Sequence, residues 1–396
     1  MPVKSSNSDD WHPASEYSNW IDNLPFKVLF GQTLAYNDNL LLLPNGAIPP
    51  PGQKRGDAYS MTNVGLLSRF PLGAQAIFIN GTYGISRYEH DTGLNSSNWD
   101  VNGGWDWVFT SRCAGTLVGS DKQTQAPIEE LTSFTANNIR TTAFNEKAKC
   151  AVSDNINVIL NSGVSRANNS LDTLAVNDNK QRFVLGGIEY VIADLNVIGA
   201  QATFTNTDYL NRSPTATPGL ATTLDQQSYA MYYRRILSAK LEVDGTLGVT
   251  RSTVSSPVQS SSSFSDPTYS VSVKWIATPK FIFQALLSQT VAPPQNIVAD
   301  FERIRTESLS VSYLFSPRLT FAWALGLSDI KNPTVSGASS PVLAMQKVFF
   351  SDLRAIYQVT PLINATGEYR YTDRKDETVG QRATSNLFML GLTYQR

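Results

Sequence analysis

Charged residues of both signs recur two positions apart in the second half of the chain. Asp352 is followed by Arg354, and Glu368 by Arg370. Because residues i and i+2 of a β-strand share a face, each pair would present a carboxylate beside a guanidinium. Such pairs could brace a wide β-sheet wall, or they could form a track of donors and acceptors that holds a hydroxyl-rich polymer. The set predicted on this polar face is Asp106, Glu189, Glu242, Asp244, Lys274, Asp352, Arg354, Glu368 and Arg370.

No motif in the sequence predicts catalysis, a cofactor or a metal centre. The GxSxG, HExxH, P-loop and dinucleotide fingerprints are absent from any supporting context. A serine hydrolase would need a histidine base, and His12 and His90 are the only histidines. Histidines in polar loops are usually solvated. We therefore expect a protein that is not an enzyme and that uses no cofactor and no metal.

The two cysteines occupy matching places in neighbouring predicted strands. Cys113 follows one short turn, and Cys150 comes just before the next. On antiparallel neighbours both side chains would lie at the same end of the strand pair. A disulfide between them is one interpretation if that end faces the oxidising periplasm, and two free thiols is the other.

Segments of about ten residues with strict alternation must carry these side chains. In 319–328, Leu, Phe, Trp, Leu and Leu alternate with Thr, Ala, Ala, Gly and Ser. Segments 241–250 and 363–372 follow the same pattern. One apolar and one polar face over such a length are typical of a transmembrane barrel with lipid outside and water inside.

Short turns, such as that at 70–73, alternate along the chain with long polar loops, such as 121–132, which separates predicted strands at 112–120 and 133–149. Cutting the sequence at these turns predicts an all-β, antiparallel, up-and-down barrel of about 18 strands over residues 25–396, after a polar lead-in at 1–24. The short turns would be periplasmic and the long loops extracellular. Aromatic residues near the short turns indicate an interfacial girdle. They are Trp105, Trp107, Tyr190, Tyr233, Trp275, Tyr313 and Tyr357.

Composition agrees with a barrel in the bacterial outer membrane. The 396 residues are 41% hydrophobic, and the formal net charge of −1 gives no argument for a nucleic-acid partner. No apolar run is long enough for a transmembrane helix, as expected where spanning strands need only about 9–11 residues. The polar start resembles no signal peptide, so we expect a mature form from which a leader has been removed.

The end of the first predicted strand carries a family resemblance. Residues 34–40 read Leu-Ala-Tyr-Asn-Asp-Asn-Leu. This "tyrosine, x, aspartate, asparagine" ending resembles the β-barrel porins of exopolysaccharide operons, as do the later hairpins and the tyrosine-containing final strand. The resemblance implies an outer-membrane exit for a secreted polysaccharide, in a lipid bilayer and alongside a periplasmic polysaccharide-export protein.

Two other functions fit the same residues. The barrel could be a general or substrate-specific porin for small hydrophilic solutes, or a scaffold that encloses a partner protein. A sheath for a protein needs a wider barrel than about 18 strands readily provides.

Overall fold

A computed structural model describes residues 26–126, 135–192, 196–212, 220–238, 240–256, 261–292, 301–331, 345–377 and 380–396. The predicted lead-in at 1–24 lies outside the described residues.

Eighteen antiparallel strands form one closed barrel, as the sequence predicts. Each strand pairs with the next along the chain, and β1 pairs with β18 to close the sheet. The strands are β1 Phe26–Asn37, β2 Asp57–Leu72, β3 Gln75–Tyr88, β4 Ser96–Thr110, β5 Cys113–Gln125, β6 Asn138–Ala151, β7 Ile156–Asn169, β8 Asn179–Ile192, β9 Asn196–Tyr209, β10 Thr223–Ser238, β11 Leu241–Ser255, β12 Ser262–Thr278, β13 Phe281–Ala292, β14 Glu302–Ser316, β15 Leu319–Lys331, β16 Met345–Thr360, β17 Ile363–Asp376 and β18 Arg382–Gln395.

An apolar belt covers the outer face of the barrel. Along β18, Phe388, Leu390 and Leu392 are all more than half exposed, while the residues between them face the lumen. The aromatic residues Trp105, Tyr190 and others near the short turns lie on the same outer face. A closed barrel with such a belt is the architecture of bacterial outer-membrane proteins, and this chain lies in that membrane.

In the described parts of the loops there are two short 3₁₀ turns, Thr92–Leu94 and Asp172–Asn177. Among the residues that the structure describes, no helix is long and apolar enough to cross a membrane.

The first short turn is tighter than the sequence predicts. The pattern predicts a turn over Phe70–Gly73, but β2 continues through Pro71 to Leu72. Gly73 takes the left-handed conformation, with φ of 66°, that closes the hairpin. Proline is tolerated inside a strand where its missing N–H is not needed by the ladder.

Strands on the loop side run further than the alternation predicts. β5 reaches Gln125, although the apolar alternation predicts an end near residue 120. β6 is an exception, because it begins at Asn138 and not at residue 133 and is therefore shorter at its loop end than predicted. Above the belt the outward positions are filled by charged residues such as Asp121 and Arg140. The strand therefore continues where the apolar signal has stopped.

Loops from two sectors of the barrel pack against the inner wall at its outer mouth. One cluster joins Leu40 and Leu41 of the first loop to Tyr88, Leu94 and Ala126. The second cluster joins residues of β9 to β14 and their loops: Tyr209, Ala221, Leu224, Val254 and Phe301. Burial of these side chains holds the long loops inward, over the mouth of the lumen.

Candidate functional site

Among the described residues, the inner faces of β16 and β17 carry the most closely connected charges of the lumen. Arg370 Nη2 lies 2.7 Å from Asp352 Oδ2 and 3.1 Å from Glu368 Oε1. Arg354 binds the other oxygen of Glu368, with Nη2 at 2.6 Å and Nε at 2.8 Å. The result is one chain of alternating charge: Asp352, Arg370, Glu368, Arg354.

Register explains this network. Asp352 is paired with Arg370, and Arg354 with Glu368, across the two strands. Directly opposed side chains on one face of an antiparallel pair lie close enough to bind each other. Asp352, Glu368 and Arg370 are each at most 19% exposed, so their charges are compensated mainly by one another.

Three further residues of the predicted set are paired with residues that the sequence did not single out. Asp106 binds Arg69 at 2.6 Å and accepts a hydrogen bond from Thr116. Glu189 binds Lys149, which projects from β6 past β7.

Asp244 binds Arg234 at 2.6 Å, between β11 and β10. The basic partners Arg69, Lys149 and Arg234 have lumen parity in their strands, so the alternation could have identified them. Sequence alone did not show which carboxylate each would meet.

Glu242 and Lys274 stand opposite each other in register on β11 and β12. The nine predicted residues therefore share the inner face but fall into four groups around the wall, on β4, β8, β11–β12 and β16–β17. Seven of the nine lie in the half of their strand nearer the short turns, whereas Asp352 and Arg370 lie at mid-strand.

The motif at the end of β1 forms a structural corner. Asn37 Oδ1 accepts hydrogen bonds from the Asn39 backbone and from Ser385 Oγ. Both carboxylate oxygens of Asp38 bind Asn386, each at 2.7 Å. These bonds fasten the first loop to the last strand, where the barrel closes.

Asn39 extends that corner into the loop. Its side-chain nitrogen Nδ2 donates to the Thr384 carbonyl at 2.8 Å and to the Leu43 carbonyl at 3.0 Å. Arg374, on the inner face of β17, donates to the Leu42 carbonyl at 2.8 Å. The loop is thus bonded to the wall of the lumen on two sides.

A second corner holds the loop between β3 and β4. His90 Nδ1 lies 3.0 Å from Asp57 Oδ1, and its Nε2 lies 2.6 Å from Lys54 Nζ. The His90 side chain is bonded to these neighbours and is still 39% exposed, as expected of a histidine in a polar loop. Glu89 brings a third ligand-type atom within 4.8 Å of this pair. The Asp57 carboxylate accepts the backbone N–H groups of His90 and Asp91, so its role is to fix the loop.

Asp91 is buried in the same corner. Burial, followed by the nearby negative charge of Asp57, raises the pKa of the Asp91 carboxyl above its ordinary value.

Cys113 and Cys150 form a disulfide in the structure. They are directly paired in register between β5 and β6, with Cα atoms 4.1 Å apart. The bond lies at the short-turn rim, on the same outward face as Val158.

The inner wall carries charged groups of both signs as well as neutral hydrogen-bond donors and acceptors. It includes neutral pairs such as Asn80 with Asn102, whose amides are 3.1 Å apart. Charges of both signs on one wall give no strong preference for ions of either sign.

No family model and no curated protein matches this chain. Solved structures match it over nearly its full length. OccK2 (OpdF) of Pseudomonas aeruginosa, solved in complex with glucuronate, is 12% identical, covers 93% of this chain and 97% of its own, and has a TM-score of 0.51.

OccK9 (OpdG) of the same organism is 11% identical over 96% of this chain and 100% of its own, with a TM-score of 0.52. OccK1 (OpdK) is 10% identical over 94% and 98%, with a TM-score of 0.50. At these identities the likeness shows the fold, that of 18-stranded outer-membrane porins.

Proposed function

We propose that the protein is a passive outer-membrane channel for small hydroxyl-rich solutes. The observation that carries this proposal is a closed barrel whose inner wall is polar and of mixed sign, beneath a mouth covered by inward-packed loops. A solute needs many shallow hydrogen bonds to enter and still leave, and such a wall offers them.

The covered mouth favours small solutes over a polymer. Leu40, Leu41 and Leu42 of the first loop are at most 4% exposed, and Arg374 bonds this loop to the inner wall. Loop segments fixed inside the rim narrow the path from the lumen to the outside. The glucuronate bound by OccK2 is a solute of the size that such a path would pass.

Export of an exopolysaccharide is the second candidate. It is supported by the ending of β1 that resembles the porins of exopolysaccharide operons. However, Asn37, Asp38 and Asn39 bond to β18 and to their own loop, so the motif serves barrel closure in either function. A periplasmic export protein would be the partner in this second case.

Permeation of a sugar series through proteoliposomes tests the proposal. We expect liposomes containing the protein to swell in monosaccharides and disaccharides and not in long dextrans. Single-channel conductance in planar bilayers should be steady and weakly ion-selective. A barrel that conducts no small solute in either assay would refute the proposal.

A matched pair of variants locates the path. Arg354→Gln removes a cation from the inner face of β16, whereas Lys347→Gln removes one from its outer face; both cations are paired with a glutamate. We expect Arg354→Gln to shift the reversal potential toward cation selectivity and Lys347→Gln to leave it unchanged. Equal effects would mean that the lumen wall does not control permeation.

A gene deletion separates the two candidates. Loss of small-solute uptake with normal polysaccharide secretion supports the porin. Normal uptake with abolished surface polysaccharide would assign the barrel to export.

A further inference from the structure

Three cations lie together on the outer face of the barrel, just above the apolar belt. Arg166 of β7 and Lys180 of β8 are directly opposed in register. Arg182 follows two positions along β8, on the same face. This face is the lipid side, because Val164 and Val184, the next outward residues of the two strands, are exposed apolar residues of the belt.

These three cations lack the compensation found elsewhere on the outer surface. Nearby, Arg140 binds Asp121 at 3.0 Å. In the described part of the chain, no carboxylate oxygen lies within 4 Å of the nitrogens of Arg166, Lys180 or Arg182, although Asp208 stands opposite Lys180 in register. Arg166 Nε donates to Asn168 Oδ1, a neutral partner, at 3.1 Å.

Directly opposed like charges destabilise a sheet. The arrangement therefore costs free energy unless an anion bridges the cations. Two guanidinium groups and an ammonium group around one point are the donor set that binds phosphate, since the planar guanidinium meets two phosphate oxygens at once.

A groove of about 680 Å³ lies beside the cations. Its outward walls are apolar at the level of the belt, where Phe144, Val164, Val184 and Phe204 line it. Arg182 lines its upper part together with Asn206 and Asp225. Ser162 lines the lower part, and this small side chain leaves room between its larger neighbours.

We propose that Arg166, Lys180 and Arg182 bind the phosphorylated head group of an outer-leaflet lipid, whose acyl chain lies in this groove. The groove is continuous with the lipid-facing belt, so the occupant is already present at that surface. The long loops are extracellular in barrels of this kind, which places the site at the outer leaflet. Charge above and apolar surface below match the two ends of one amphiphile.

Native mass spectrometry of the purified barrel with defined glycolipids tests the proposal. The probes are a bis-phosphorylated lipid A and the same lipid without its phosphates. We expect the wild-type protein to form 1:1 adducts with the phosphorylated probe at least fivefold more abundantly than with the dephosphorylated one. Inorganic phosphate at the same concentration should not displace the lipid; displacement would show a free-anion site and overturn the lipid assignment.

Two sets of variants separate the site from general surface charge. The triple variant Arg166→Gln, Lys180→Gln, Arg182→Gln should lose at least fivefold of the adduct. The control Arg303→Gln, Arg305→Gln, Lys331→Gln removes three cations of the same loop-side region, each of which has a carboxylate partner within 4 Å. It should change adduct formation less than twofold, and equal losses in both triples would refute the site.

A single substitution keeps the proposal testable if the triple variant folds poorly. Ser162→Phe leaves every cation in place and fills the lower part of the groove. We expect it to lower the adduct with the phosphorylated probe severalfold. Unchanged binding would show that the acyl chain does not bind in this groove.

Discussion

Two groups of charged residues lie on opposite faces of the barrel wall and are built in opposite ways. On the inner face, Asp352, Arg370, Glu368 and Arg354 alternate in sign, and every charge touches its opposite. On the outer face, Arg166, Lys180 and Arg182 share one sign. Both arrangements follow from the same rule of cross-strand register.

The difference shows where each group finds its counter-charge. The inner network is partly buried and faces water, so the protein itself supplies the opposing charges. The outer group faces a membrane surface rich in anions, which can supply the opposing charge from outside the chain. A cluster of one sign therefore indicates a ligand-binding site, whereas a cluster of alternating sign indicates charges that compensate one another within the barrel wall.

A charged side chain placed on the lipid face should have the largest effect on the free energy of unfolding. Leu325 faces lipid on β15, and its neighbour Ala324 faces the lumen opposite Asp352. We expect Leu325→Arg to lower the free energy of unfolding by about 2–4 kcal/mol if the residue lies near the midplane. Ala324→Arg should cost much less, because water and a carboxylate are available there.

Denaturant titration in lipid vesicles measures both free energies. Equal costs at the two positions would contradict the assignment of the two faces.

Removing one cation from the inner network should have the next largest effect. Arg370→Met leaves Asp352 and Glu368 near each other without the charge that joins them. Loss of one partner from a buried charge network costs about 3 kcal/mol, and contact of this site with lumen water would reduce that figure.

The double variant Arg370→Met, Glu368→Gln should recover part of the loss, because one carboxylate charge is gone. The same denaturant titration provides the measurement. A double variant less stable than the single one would show that the network is not held by charge.

Removing one cation from the outer group should raise the stability of the barrel, whereas removing one from the inner network lowers it. Arg166→Gln relieves the repulsion from Lys180, so it should raise stability by about 0.2–1 kcal/mol in delipidated protein at low salt. The gain should vanish in high salt, where exposed charges are screened.

Arg166→Lys, which keeps the charge, serves as the control and should show no gain. A loss of stability in Arg166→Gln under these conditions would mean that the three cations are not in conflict.

The smallest effect concerns Asp91, which is buried in the loop corner between β3 and β4. Because its pKa is raised in the folded protein, the protonated carboxyl is the form that the fold favours. The associated stability is complete below the ordinary aspartate pKa and is lost as the pH rises through the raised value.

Asp91→Asn should therefore slow hydrogen exchange of the loop at neutral pH and leave it unchanged in acid. Hydrogen–deuterium exchange of the loop peptide at the two pH values is the measurement. A faster exchange in Asp91→Asn at neutral pH would show that the ionised carboxylate stabilises the loop.

The architecture of this protein could be predicted from its amino-acid sequence. Alternation along segments such as 319–328 has only one reading in a bilayer, because every second side chain must face lipid and the others water. The same parity assigned all nine predicted charged residues, and the aromatic residues near the short turns, to their faces. The place of Cys113 and Cys150 at one rim also followed from the turns.

The pairing of the charged residues and the course of the loops could not be predicted without the folded barrel. Pairing of Glu189 with Lys149 crosses an intervening strand, and pairing of Asp106 with Arg69 does the same. Such contacts depend on register and barrel curvature, which parity does not contain. The first loop folds into the mouth because Asn37, Asp38 and Asn39 find partners on the last strand, nearly 350 residues away in the chain. The opposition of Arg166 and Lys180 likewise arises from register, since a shift of one residue would turn one of them into the lumen.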